Sequence, residues 1–221
     1  RSFFPKKKQL NILSLKEILS FVEKKNIKLI INCAAIARMK ECEKKKLKAF
    51  NINVIGTLNL LKSINKINQN IKLVHISSDA VYFSNKGNYS ERSELRPYNF
   101  YGFTKILSEK IILNLKNYMI IRTRFFDKNK ILFSHSATDS FSSSIEINHL
   151  VKNLKKLINK NYKGVINVGG KRISDYNLYK KFKKNIKKCK QSDIQKELEF
   201  KISKDASMNC KLLNKVLNDK R

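Results

Sequence analysis

Short apolar runs alternate with stretches of helical period along most of the chain, and that alternation restricts the fold more than any single residue does. Residues 15–25 place apolar side chains at Leu15, Ile18, Leu19 and Val22, the spacing of one helix face. Lys28-Leu-Ile-Ile-Asn-Cys33 reads as a short buried strand, and residues 41–64 as a long helix with Gly56 inside it. Residues 73–76 form the next expected strand, 79–99 an irregular segment, 101–115 a helix, and 118–123 a third strand. Strands and helices in this order imply a parallel sheet with helices on both faces, because parallel neighbours need a crossover between them.

Past Phe126 the pattern loosens. Residues 134–144 read as a hydroxyl-rich loop, 145–158 as a helix, and 164–170 as a strand and turn. A further helix is expected over 174–188 with Ser174 as its N-cap, and weaker helical character over 212–217. At 221 residues the chain holds one substantial core, or a core plus a small lobe. The division expected is an α/β domain over 1–133 and a smaller C-terminal lobe over 134–221 that partly packs back on the sheet. No apolar run approaches the ~18 residues of a membrane span. The opening Arg1-Ser-Phe-Phe-Pro-Lys6 lacks a signal-peptide layout. A soluble, cytoplasmic protein with no membrane partner is the expectation.

The formal charge of +31 raises the question of nucleic acid. Lysines outnumber arginines 40 to 8, although arginine is the better bidentate reader of phosphate and bases. The excess is also spread out, +16 over residues 1–149 and +15 over 150–221, and 25 asparagines accompany it. A general Lys/Asn drift explains this more simply than a specific nucleic-acid partner, and none is expected. Attraction of a small polyanion such as a nucleotide diphosphate is the milder consequence. The four cysteines form no C-x-x-C pair and the three histidines are scattered, so inert thiols and no metal site are expected.

One constellation carries chemistry. Tyr101 and Lys105 lie one helical turn apart and follow Ser78, which ends the 73–76 strand. An ammonium beside a phenol favours the phenolate and would lower a pKa that is ordinarily about 10. The tyrosine could then exchange a proton with a carbonyl or alcohol oxygen held by the serine hydroxyl, as nicotinamide-dependent carbonyl reduction requires. Tyr-x-x-x-Lys occurs four times here, at 82/86, 101/105, 176/180 and 179/183. Only the pair at 101/105 both follows an apolar strand ending in hydroxyls and opens a helix.

A dinucleotide-binding fold normally begins with a strand, a Gly-x-Gly-x-x-Gly turn and a helix whose amides hold the pyrophosphate. The first glycine here is Gly56, and Gly164, Gly169 and Gly170 follow the last expected strand. The chain is therefore expected to be a fragment without its first strand–helix–strand unit, or else a degenerate relative.

Taken in order, these segments resemble the extended short-chain dehydrogenase/reductases, most closely the dTDP-4-dehydrorhamnose reductase group. The resemblance runs through Ile30-Ile-Asn-Cys-Ala-Ala35, then Ala49-Phe-Asn-Ile-Asn53-Val-Ile-Gly56, then His75-Ile-Ser-Ser-Asp-Ala-Val-Tyr-Phe83. It continues through Arg96-Pro-Tyr-Asn-Phe-Tyr101-Gly-Phe-Thr-Lys105 with Glu109, and Ile120-Ile-Arg122-Thr-Arg124. It implies a Rossmann-like parallel sheet, N-terminally truncated, with a small substrate-side lobe. It also implies NADPH or NADH as cofactor, a nucleotide-sugar substrate and a possible homodimer. By the same resemblance Ser78, Tyr101 and Lys105 are catalytic. Ala34, Ala35, Ser77, Tyr101 and Lys105 would line the cofactor, with Asn53 supporting the backbone beside it. An epimerase or reductase of another nucleotide sugar, and an inactive regulatory subunit, stay open as alternatives.

Overall fold

In the computed structural model four parallel strands form the centre of the molecule. They are β1 (Leu29–Asn32), β2 (Lys72–Ile76), β3 (Tyr118–Arg122) and β4 (Gly164–Asn167), in that spatial order. Residues 2–82 and 85–219 are described; Arg1, Phe83, Ser84, Lys220 and Arg221 lie outside them, Phe83 being the last residue of the motif that contains Ser78. Registry is continuous across the sheet, with His75 opposite Asn32 and Ile120. The expected α/β architecture with a parallel sheet is present.

Side-chain alternation on the strands builds two cores. Leu73 and Ile120 point to one face and pack with Ile18 and Val22 of α1 (Leu15–Lys24), Leu60 and Ile64 of α2 (Gly56–Ile67), and Ile112 of α3 (Phe100–Ile112). Val74, Met119, Ile121 and Ile166 point to the other face. They meet Leu150 and Leu157 of α4 (Ile147–Asn159) and Leu213 of α5 (Lys211–Asn218). Each such aliphatic side chain fully buried contributes roughly 1.5–3 kcal/mol. The C-terminal third thus supplies one sheet strand and both helices of the second layer.

Three expectations need correction. The helix expected over 41–64 is broken at Lys45 into Met39–Lys44 and Lys46–Phe50, and then widens into a π turn at Asn51–Ile55 before α2. The helix expected over 174–188 stops early: Asp175–Lys180 is helical, with Ser174 capping through a 3.3 Å bond from the Asn177 amide. Lys187–Cys189 is instead a strand parallel to His135–Ala137. The hydroxyl-rich 134–144 segment is not a solvated loop. It holds two short strands, and Ser140, Ser142, Ser143 and Ser144 are all buried. Ser140 and Ser142 donate to Asp175 and Ser143 to the Met208 carbonyl, distant partners that allow the run to be buried without an apolar pattern to announce it.

Candidate active site

Strand β2 delivers Ser77 and Ser78 at its C-terminal end. Ser78 is extended and caps a single 3₁₀ turn, Asp79–Val81, accepting from the Ala80 amide at 3.1 Å and donating to Asp79 Oδ1 at 3.1 Å. Helix α3 starts opposite, capped by Asn99, whose Oδ1 accepts from the Gly102 amide at 2.9 Å. A Cβ on Gly102 would sit 2.3 Å from the Ala80 carbonyl oxygen. Only a glycine lets the helix come this close to the turn. The approach brings Tyr101 beside Ser78, and both line the same cavity.

Lys105, one turn further along, is fully buried at 2 % exposure. Its Nζ donates to the Ile76 carbonyl at 2.6 Å and lies 3.0 Å from His75 Nε2. Burial brings its pKa down to about 8, against an opposing pull from Glu109 and Cys33. The expected acidification of Tyr101 is not what the geometry produces. Burial pushes that phenol up to about 12; the Ser78 hydrogen bond opposes this, and the neighbouring Asp79 and Cys42 add to it. The ammonium is aimed at a backbone carbonyl and an imidazole, and desolvation of the phenol dominates.

Two buried networks fix these side chains. Arg122 on β3 pairs with Glu109 on α3, its Nη2 2.7 Å and its Nε 3.1 and 3.2 Å from the carboxylate oxygens. Ser77 spends its hydroxyl on the same carboxylate, and Tyr82 joins by accepting from Arg122 Nη1 at 3.1 Å and donating to Asn167 Oδ1 at 2.6 Å. The second network belongs to Asn53, inside the π turn. Its amide accepts from the Ile36 amide at 2.8 Å and donates to the Ile36 carbonyl at 3.1 Å and Thr104 Oγ1 at 2.9 Å. Thr104 in turn donates to the Tyr101 carbonyl at 2.8 Å. π turns recur at functional sites because they re-aim one side chain.

A cavity of about 1150 Å³ opens above these groups, lined by Ala35, Ser77, Ser78, Tyr101 and Lys105 among others. Of the residues singled out from the sequence, these five converge. Ala34 is exposed, its amide donating to Asn32 Oδ1 at 3.1 Å, and it does not line the cavity. Asn53 lies behind the site, a clamp on its backbone. Cys33, expected to be inert, is exposed and lines the cavity.

Sequence reasoning missed the cavity's far wall. There Arg124 reaches Asp175 at 3.2 Å and Asp79 at 4.0 Å, while Ser140 and Ser142 donate to the Asp175 carboxylate at 3.1 and 3.0 Å. Asp175 and Asp79 hold the guanidinium charged, while burial raises the Asp79 carboxyl above its ordinary range. Arg124 closes a motif already quoted, but its partner Asp175 is 51 residues away. No local spacing could have joined them.

The fit to a nicotinamide cofactor can be judged at one end. Cys33, Ala35, Ser77 and Lys105 surround the open floor beside Tyr101, a surface of small side chains and one amine suited to a nicotinamide ribose. Among the described residues no glycine-rich turn precedes a sheet strand. Gly56 is packed in its helix with Ile12 only 3.0 Å from a built Cβ.

Known proteins share this frame. The RmlD substrate binding domain profile matches residues 2–139, more than half of the chain. The chain belongs to that family. As an RmlD-family chain it is 39% identical over 106 residues to the UDP-glucose 4-epimerase of Mycoplasma genitalium, covering 44% of this chain and 31% of that protein. It is 32% identical over 97 residues to the dTDP-4-dehydrorhamnose reductase of Mycolicibacterium smegmatis, covering 42% and 29%. These matches therefore span less than half the length of the curated relatives. In three dimensions it superposes on the dTDP-4-dehydrorhamnose reductase from Bacillus anthracis, solved in complex with NADP, with a TM-score of 0.86. Identity there is 23%, and the match covers 96% of this chain and 82% of that one.

Proposed function

We propose that this RmlD-family chain carries the catalytic part of an NAD(P)H-dependent reductase acting on the 4-keto group of a nucleotide-linked deoxysugar. The activity it resembles in kind is that of dTDP-4-dehydrorhamnose reductase, in dTDP-L-rhamnose synthesis. The observation that carries the reading is the convergence of Ser78, Tyr101 and the buried Lys105, one turn along the same helix, on one cavity. When bound, a nicotinamide cofactor supplies the hydride. Ser77, Ala35 and Lys105 would hold its ribose end, and Ser78 would hold the substrate's keto oxygen next to the phenol. With its pKa raised by burial, the phenol keeps its proton across the neutral range and is in the form that can donate. Lys105, one turn along the same helix, brings a cationic group to the same cavity. Residues 1–133 carry these groups, and residues 134–221 supply the sugar-facing side through Asp175 and Tyr179.

A second reading, epimerisation of a nucleotide sugar, has its own support in the Mycoplasma genitalium match, which is more identical than the reductase match. Incubation with NADPH and a dTDP-4-keto-deoxysugar, followed at 340 nm, separates the two: net NADPH consumption fits reduction, whereas epimerisation leaves absorbance unchanged. Tyr101→Phe removes the proton donor and keeps the ring. Wild-type turnover in that variant would end the assignment.

A further inference from the structure

The buried His75 is fully enclosed, and none of the roles given so far uses it. Its two ring nitrogens have fixed neighbours. Asn32 Nδ2 lies 3.2 Å from Nδ1, and Lys105 Nζ lies 3.0 Å from Nε2. The Asn32 amide cannot be turned round. Its Oδ1 accepts from the Ala34 amide at 3.1 Å, and its Nδ2 faces Thr57 Oγ1 at 3.4 Å. The Thr57 hydroxyl proton is committed to the Asn53 carbonyl at 2.7 Å, so that oxygen can only accept. Asn32 therefore donates to His75 Nδ1, and a neutral imidazole must carry its proton on Nε2. That proton points at Lys105.

An ammonium has three donors and no acceptor, so a charged Lys105 would set N–H against N–H across 3.0 Å. A neutral amine has a lone pair that accepts from Nε2–H while its own proton goes to the Ile76 carbonyl. We propose that Asn32 and His75 act as positioning residues: by presenting Nε2–H to Lys105 they favour its neutral amine and hold the side chain ready to release its proton. This rests on the reading of Lys105 as a residue of the reductase site. The amine formed when Lys105 gives up its proton is the state that His75 hydrogen-bonds best. Solvent protons then restore the ammonium.

The other ionisable groups facing Lys105 are Cys33 after β1 and Glu109 on its own helix, with Arg122 from β3 behind Glu109. The π turn contributes none. Glu109 pulls the other way and is already engaged by Arg122, so the lowered basicity of Lys105 agrees with burial beside a donor rather than with a missing counter-charge.

The test reads protonation without cofactor or substrate, so it stands apart from whether the protein reduces a sugar. Lysine labelled with ¹³C at ε, with the Lys105 signal assigned by its loss in Lys105→Met, is titrated by NMR. Wild type is expected to show a midpoint near 8. In His75→Gln the side-chain carbonyl can face the ammonium, and the midpoint is expected to rise by at least about one unit toward the ordinary ~10.4. An unchanged midpoint in a folded His75→Gln protein would overturn the proposal. The tautomer provides a check that needs no variant: ¹⁵N-coupled imidazole spectra should show the proton of His75 on Nε2, and a proton on Nδ1 would overturn the proposal equally.

Discussion

Replacing Gly102 by alanine tests how tightly the tyrosine helix is docked on the serine turn. The added Cβ would lie 2.3 Å from the Ala80 carbonyl oxygen and 3.2 Å from the Ala80 carbonyl carbon, where ordinary contact begins at 3.4 Å. Backbone on both sides must give by about 1 Å, since neither partner is a flexible side chain. Overpacking of this kind costs ~1–3 kcal/mol, while the better helix propensity of alanine returns at most ~1 kcal/mol. With that full return the net loss is up to about 2 kcal/mol, a melting point lower by up to roughly 8 °C in a chain of this size. Propensity acting alone would raise it by roughly 2–4 °C, so the sign of the shift decides. Function should suffer more than stability. Tyr101 is the preceding residue and Ser78 holds the Ala80 amide, so the two hydroxyls separate by a similar distance. A displacement near 1 Å is enough to cost ~10²-fold in rate. Thermal unfolding by circular dichroism and NADPH oxidation at 340 nm read the two effects. An alanine variant that melts no lower than the parent and turns over as fast would refute the close approach.

Other outcomes follow from the same contacts. Glu109→Gln leaves Arg122 charged and buried, and should cost about 3–5 kcal/mol, seen as a lower urea midpoint with the slope unchanged; a loss below ~1 kcal/mol would show that the pair is not enclosed. Asn53→Ala strands the Ile36 amide and leaves its carbonyl with only the Cys42 thiol as donor, with an expected loss of ~1–3 kcal/mol and faster hydrogen exchange at the Ile36 amide. Unaltered exchange there would contradict the clamp. Burial and the nearby Lys105 hold the His75 pKa well below its ordinary 6.5. The unfolded chain therefore binds a proton that the folded one refuses as pH falls through about 6.5. The stability His75 contributes is present above that pH and lost progressively below it. Urea midpoints at pH 7.5 and 5.5 should differ more for wild type than for His75→Gln, and equal differences would remove His75 from the account.

Much of the sheet could be read in advance because its strands are short apolar runs with few alternatives. The Ser78, Tyr101 and Lys105 set was legible for a different reason, since strand end and helix start place them by local geometry. What escaped was set by distant partners. The break at Lys45 and the π turn depend on Asn53 reaching Ile36 and Thr104, the latter 51 residues on. The early end of the 175–180 helix depends on Lys187–Cys189 finding a partner strand at His135–Ala137. The basicity of Tyr101 was misjudged because spacing gives the nearness of an ammonium but neither its aim nor the loss of water around the phenol.

The π turn at Asn51–Ile55 makes chain length itself a constraint here. Its closing bond runs from the Gly56 amide to the Asn51 carbonyl, five residues back, so the segment holds one residue more than a regular turn would. Excising one of its residues other than Asn53 would let the helix close normally and turn Asn53 relative to its partners by about 100° about the axis, away from Ile36 and Thr104. Substitutions on its outward side should pass with little effect, yet a one-codon deletion would uncouple the backbone after β1 from the helix that bears Tyr101.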